Sequence, residues 1–290
     1  MKGDSNTYAL GTIGQHMIVA ACLPSGEYGT NAAADAASNL RRTYHEVEFC
    51  LLVGIAGGAP SPETDIRLGD VVVSHPTSTS SGVIQYDRGK EYKGNTFQLT
   101  GSLQGPPRSL RTAKCTSFKA RCVLELASST PGKNRPIDTT FLYFELQSPR
   151  TRERPSLQGD SHVQRRARRP TDLPEIHYGL IASGNRVLKD ASMRDPWAKE
   201  HGILCFEMEA AGVMNILPCL VIRGICDYAD AYKNKTWQNY AAATAAAYAK
   251  LLLCHTAPSR TEWKTAIDDW DSSLYIYGSG DGPPAKRRRA

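Results

Sequence analysis

The stretch Cys205-Phe-Glu-Met-Glu-Ala-Ala-Gly212, followed by Cys219-Leu-Val-Ile-Arg-Gly-Ile-Cys-Asp-Tyr-Ala-Asp230, decides how this chain is read. Phe206–Glu209 sets two carboxylates around a methionine, and the small run Ala210-Ala211-Gly212 can start a helix packed closely on a sheet. Pro218 ends that element. Cys219–Ile222 is almost continuously apolar, as a strand buried on both faces must be. Such a strand delivers Arg223 and Asp227 to its carboxyl end, where open α/β sheets bind ligands. Two carboxylates so placed can do chemistry. They can equally be one acidic helix cap and one surface turn.

Working outward, Tyr8–Cys22 contains two β-prone runs around Gly14-Gln15 and predicts a hairpin. A turn at 23–30 leads to an Ala-rich helix from about Asn31 to Arg42, with Thr30 as its N-cap. Val47–Val53 predicts a buried strand running into a loop, Gly54-Ile55-Ala56-Gly57-Gly58. Further strands are expected at Asp70–Ser74, Val83–Tyr86, Thr96–Thr100 and Ile176–Asn185, and a long helix at Trp237–Leu253. Strands alternating with helices predict an α/β fold, a central mixed sheet with helices on both faces. One domain is expected over 1–255, interrupted by an irregular insertion at about 111–174, with a disordered polar tail at 256–290.

Composition removes several function classes. The 290 residues are 41% hydrophobic, with no run long enough to span a membrane and no apolar leader at the N-terminus. Eight cysteines include no C-x-x-C pair and read as reduced core thiols of an intracellular, cytoplasmic protein rather than a disulfide framework or a zinc site. The net charge of +6 is concentrated in two segments. One is 150–169, with seven arginines against Glu153 and Asp160, and the other is the end, Lys286 with Arg287–Arg289. The remaining body is slightly acidic, which argues against a nucleic-acid binder, although Pro284–Arg289 also fits a nuclear-localisation patch. His75 and His177 read as strand or turn residues.

Five phrases in order carry a resemblance: Leu23-Pro-Ser-Gly-Glu-Tyr-Gly-Thr30, Asp65-Ile-Arg-Leu-Gly-Asp-Val-Val-Val-Ser74, His177-Tyr-Gly-Leu-Ile-Ala-Ser-Gly-Asn185, Phe206–Glu209 and Ile225–Asp230. Together with the glycine loop they resemble the nucleoside phosphorylase superfamily, which includes purine nucleoside phosphorylases and methylthioadenosine/adenosylhomocysteine nucleosidases. They look most like its fungal branch, found as a module of NACHT, ankyrin or tetratricopeptide proteins. The likeness covers residues 7–110 and 175–254.

The resemblance implies a three-layer αβα fold and cleavage of the N-ribosyl bond of a purine nucleoside or nucleotide, by phosphorolysis or hydrolysis. By motif, Asp227 protonates the departing base and Glu209 holds the ribose. Met208 would lie under the sugar, while Phe206 and the backbone of Asn185–Val187 would border the base; Met208 and Phe206 are otherwise simply core. Glu207 would order water, and Arg223 matches the nucleosidase pattern. The backbone of Gly54, Ile55, Ala56 and Gly57 would surround the nucleophile, or the glycines mark only a tight turn. No cofactor or metal is implied, only phosphate or water as co-substrate. Family members assemble, so a homo-oligomer is expected.

Two departures matter. Leu52 and Ile55 stand where phosphorylases carry phosphate ligands, which favours water as acceptor. The family also opens with a central strand before the hairpin, and this chain begins too late to contain it. The expectation is therefore a sheet lacking its first strand. That leaves an alternative function: a truncated, inactive module that senses a nucleoside without turning it over.

Overall fold

In the computed structural model, which describes residues 3–94, 96–112, 169–170, 173–233 and 235–256, Tyr8–Ile13 (β1) and His16–Ala21 (β2) form the expected antiparallel hairpin. The helix α1 spans Thr30–Thr43, but Thr30 is not its N-cap. Gly29 takes that place at φ 98°, and no side chain caps from within the helix. The strand β3 (Cys50–Gly58) follows, then β4 (Val71–Ser74), β5 (Val83–Gln85), the pair β6 (Gly89–Tyr92) and β7 (Thr96–Leu99), and the short α2 (Arg108–Thr112). Beyond the insertion come β8 (Ile176–Ser183), α3 (Ala191–His201), β9 (Ile203–Glu207), the single turn α4 (Ala210–Val213), β10 (Cys219–Asp227) and α5 (Gln238–His255). Most of the 111–174 insertion and the 256–290 tail, with their basic runs, Cys115 and Cys122, lie outside the described residues.

The main sheet is mixed, in the order β4-β10-β3-β9-β8-β5, and β8 also pairs with β4. β10 lies parallel to β3 and antiparallel to β4, while β9 lies antiparallel to β3 and parallel to β8. Period-two alternation divides the core between the faces. Val72, Val221 and Ile225 pack with Ala33 and Ala37 of α1 and Val213 of α4. Val71, Val73, Leu220 and Ile222 pack instead under Tyr248, Ala249 and Leu252 of α5. Every residue of β10 is buried, as its apolar composition predicts. The result is a helix–sheet–helix sandwich in which β10 lies between β4 and β3.

Two close approaches need glycine. A Cβ on Gly212 would overlap the carbonyl of Thr30, and one on Gly224 would overlap the carbonyl of Ala241, so α1 and α5 rest directly on these backbones. One side of β3 is open. β9 meets it only at Gly57 and Gly58, so among the described residues Cys50–Ile55 pair with β10 alone. Val53 is 39% exposed there despite its apolar side chain.

Three sequence expectations change. The strand β9 and the helix α3 were not anticipated; Pro196 inside α3 breaks the helical pattern, although Asp190 caps Ser192 N–H at 2.8 Å and Gly202 ends the helix at φ 70°. The 54–58 segment is not a loop but the second half of β3. Of the cysteines expected in the core, Cys205, Cys219 and Cys226 are buried, whereas Cys22 and Cys254 are exposed.

Candidate active site

Arg223 lies in mid-strand rather than at a strand end, directly opposite Gly54 in the register. With no side chain on Gly54, the arginine crosses β3 and reaches β9. A Cβ at Gly54 would overlap its guanidinium. On the far side Arg223 Nη2 donates to Glu207 Oε2 and stands 3.3 Å from Glu209 Oε2. Glu207 is wholly buried, and its carboxylate also accepts from the backbone N–H of Glu209 at 3.1 Å and of Ala210 at 3.1 Å, the first turn of α4. A buried carboxylate needs such donors, and Glu207 has three. Glu209, at 20% side-chain exposure, is the carboxylate that faces outward. Arg223 Nε is buried without a hydrogen-bond partner.

Asp227 lies beyond a bulge. Ile225 pairs with Ala56 and Asp227 with Gly57, so one residue of β10, Cys226, is extra. Bulges re-aim the side chain that follows them. Here the bulge turns Asp227 over Gly57, where an added Cβ would come within 2.7 Å of Oδ1. Oδ1 accepts the Ala229 N–H at 2.8 Å, and Oδ2 accepts from the Cys226 thiol at 3.2 Å and Lys233 Nζ at 3.0 Å. Burial first, then the charge and hydrogen bond of Asp227, push the Cys226 thiol up to about 12.

The other sequence-derived residues divide. Phe206 is buried edge-on against Tyr86, with ring centroids 5.7 Å apart, and serves the core. Met208 is half-buried between the two glutamates, and Val187 is exposed. Two groups of Asn185 serve structure: its side-chain oxygen accepts from Thr30 N–H at 2.8 Å and the Thr30 hydroxyl at 3.0 Å, and its backbone N–H donates to Asp87 at 2.7 Å. It supplies the cap that α1 lacks. Gly54, Ile55, Ala56 and Gly57 are extended, so their N–H groups alternate in direction rather than converging on an anion.

Sequence reasoning passed over Asp70. Its side chain is buried and accepts from Arg169 at 2.8 Å through both oxygens, from His177 Nε2 at 2.9 Å, and from the backbone N–H of Arg67 and Glu175 at 2.8 and 2.9 Å. Burial alone would push its carboxyl up. The donors from His177, Arg169, Glu175 and Arg67 outweigh that and hold it below the usual range. The signal was the Asp65-Ile-Arg-Leu-Gly-Asp70 turn before β4. Two clefts, of about 320 and 610 Å³, lie along β5–β7 and α3, and neither Asp227 nor Glu209 lines them. Among the described residues, no cluster of three or more metal-ligating side chains occurs and no helix is long and apolar enough to cross a membrane.

Comparison with known proteins bears on the fold. No family model matches the chain. A nucleotide-binding leucine-rich repeat (NLR)-like protein of Hyaloscypha variabilis is 46% identical over 265 residues, which is 89% of this chain and 26% of that protein. The chain thus spans about a quarter of that relative. Among solved structures, futalosine hydrolase of Helicobacter pylori superposes with a TM-score of 0.51 at 16% identity, covering 87% of this chain and 86% of that one. The methylthioadenosine/adenosylhomocysteine nucleosidase of Neisseria meningitidis, in complex with methylthio-immucillin-A, gives 0.53 at 17%, covering 88% and 87%. A putative nucleosidase of the same kind from Francisella philomiragia gives 0.52 at 18%, covering 88% and 87%. At such identities the likeness is one of fold alone: the chain folds like these proteins, with a central mixed sheet flanked by helices.

Proposed function

We propose that this domain cleaves the N-ribosyl bond of a purine nucleoside or nucleotide, with water as the acceptor. The observation that carries the reading is the division of labour among three carboxylates. Glu207 is buried and neutralised by Arg223, Glu209 is turned outward on the same arginine, and Asp227 is set apart beyond the bulge. The fold shared with nucleosidases supports it.

The chemistry follows from where charge develops. As the bond breaks, the ribose becomes cationic and the base anionic. Asp227 takes up a proton from solvent as the base binds and passes it to the departing base nitrogen, and the Lys233 ammonium, 3.0 Å away, stabilises the carboxylate left behind. Glu209 accepts hydrogen bonds from the ribose hydroxyls and offsets the cationic sugar, while Arg223 holds it in place. Met208, between the glutamates, supports the sugar face. Leu52 and Ile55 on β3 offer phosphate no charge, and the extended 54–57 backbone offers no concave amide cradle, so water is the better-fitting nucleophile.

The test is incubation with adenosine, inosine, guanosine, methylthioadenosine and ATP, with and without phosphate, followed by chromatography for free base. Base release is expected without phosphate, and Asp227→Asn is expected to slow it by about 100-fold or more. A variant as fast as the parent would show that the acid is assigned wrongly. A second reading, a nucleoside sensor without turnover, is favoured by the open side of β3 beside Ile55 and by the similarity to part of an NLR-like protein. Calorimetry separates the two, because the sensor binds nucleoside and releases no base.

A further inference from the structure

One peptide unit next to Asp227 is gripped at both ends. The N–H of the Tyr228–Ala229 peptide donates to Asp227 Oδ1 at 2.8 Å, and its carbonyl accepts from Arg194 Nη1. Arg194 comes from α3, 34 residues earlier in the chain, and is 9% exposed. Its Nε donates to Asp195 at 2.7 Å, so the side chain is anchored before it reaches the peptide. Ala229 is buried with φ 51°, and it is the one non-glycine at positive φ among the described residues. That conformation costs an alanine about 1–2 kcal/mol, so something must hold it.

From these contacts we infer that Arg194 is a positioning residue for the candidate acid. Its guanidinium fixes the plane of the Tyr228–Ala229 peptide, and the peptide in turn fixes the rotamer of the Asp227 carboxyl group. A cation on the carbonyl also polarises the amide, which makes its N–H a stronger donor to Asp227. The inference rests on reading Asp227 as the acid. A plain structural brace would tie α3 to the sheet without affecting Asp227 selectively, and the two roles separate by experiment.

The full chain is compared with its Arg194→Met, Arg194→Lys and Asp227→Asn variants. Amide hydrogen exchange by NMR reads the peptide directly and needs no turnover. Arg194→Met is expected to speed exchange at Ala229 by about tenfold while the amides of Leu220–Ile225 keep their rates, and Arg194→Lys should fall between. In the base-release assay, Arg194→Met is expected to lower kcat by about tenfold with KM nearly unchanged, and Arg194→Lys to recover part of the loss. Unchanged exchange at Ala229, uniform loss of protection along β10, or an unchanged kcat beside a dead Asp227→Asn each overturns the inference. If Arg194→Met fails to fold, the same readouts on Arg194→Lys decide. An Asp227→Asn variant as active as the parent instead defeats the assignment of the acid, and the exchange data then judge the Arg194 contact alone.

Discussion

Gly54 and Arg223 are cross-strand partners, and the guanidinium of one fills the space a side chain on the other would need. The glycine is therefore as much a part of the candidate site as the arginine. Gly54→Ala should push Arg223 off Glu207 and cost about 2 kcal/mol, within the usual range for overpacking a filled interior. Urea unfolding measures the loss. A wild-type midpoint would mean that the arginine has another route to β9.

The two glutamates on Arg223 should behave oppositely. Glu207→Gln removes the buried partner of a buried cation and is expected to cost about 3 kcal/mol in thermal or urea unfolding. Glu209→Gln, on a partly exposed group, should change stability by less than about 1 kcal/mol yet raise KM for the nucleoside. Paired unfolding and kinetic measurements check the contrast, and the reverse pattern would exchange the two roles.

Asp70 gives the fold an acid sensitivity of definite sign. Its carboxyl is held below the ordinary carboxylate value in the folded state, so its contribution is complete above that value and fades as pH falls through the lower, folded one. Asp70→Asn should remove about 3 kcal/mol at pH 7 and flatten the fall in stability below about pH 4. Urea midpoints of both proteins between pH 3 and 7 test this, and parallel curves would rule it out.

Thiol reactivity should follow burial. Cys22 and Cys254 are expected to alkylate in the native protein at pH 8, whereas Cys205, Cys219 and Cys226 should react only after denaturation. Burial pushes the Cys205 thiol up, as it does Cys226 together with the charge of Asp227. Peptide mapping by mass spectrometry resolves each site. Native labelling of Cys226 would show that the Asp227 loop opens readily.

The sequence made the central strand legible because Cys219–Ile222 must be buried on both sides, and it is. The hairpin and α5 were equally plain, each carrying its turn or its small-residue pattern over a long run. What misled was glycine. Gly54–Gly58 reads as a loop by composition, but its glycines serve a strand whose neighbours carry large side chains across it. That purpose is visible only once the register with β10 is known. Likewise α3 was hidden by Pro196, and Asn185 was read as a site residue but not as the cap of a helix 155 positions away. Asp227 was named as the candidate acid by motif, while the bulge that aims it and the Arg194 contact beside it depend on tertiary structure.

The extra pairing of β8 with β4 has a mechanical consequence. It joins β4, β10, β3, β9 and β8 end to end into a closed ring. Apart from Cys50–Ile55, where β3 pairs with β10 alone, the ring leaves no free end from which strands can peel, so parting two of its members strains the others. It should therefore unzip as one unit, with its slowest amides sharing a single opening rate. A ligand cannot wedge these strands apart to enter. On the proposed reading, a nucleoside reaches Glu209 and Asp227 over the rim, past the loops after β9 and β10.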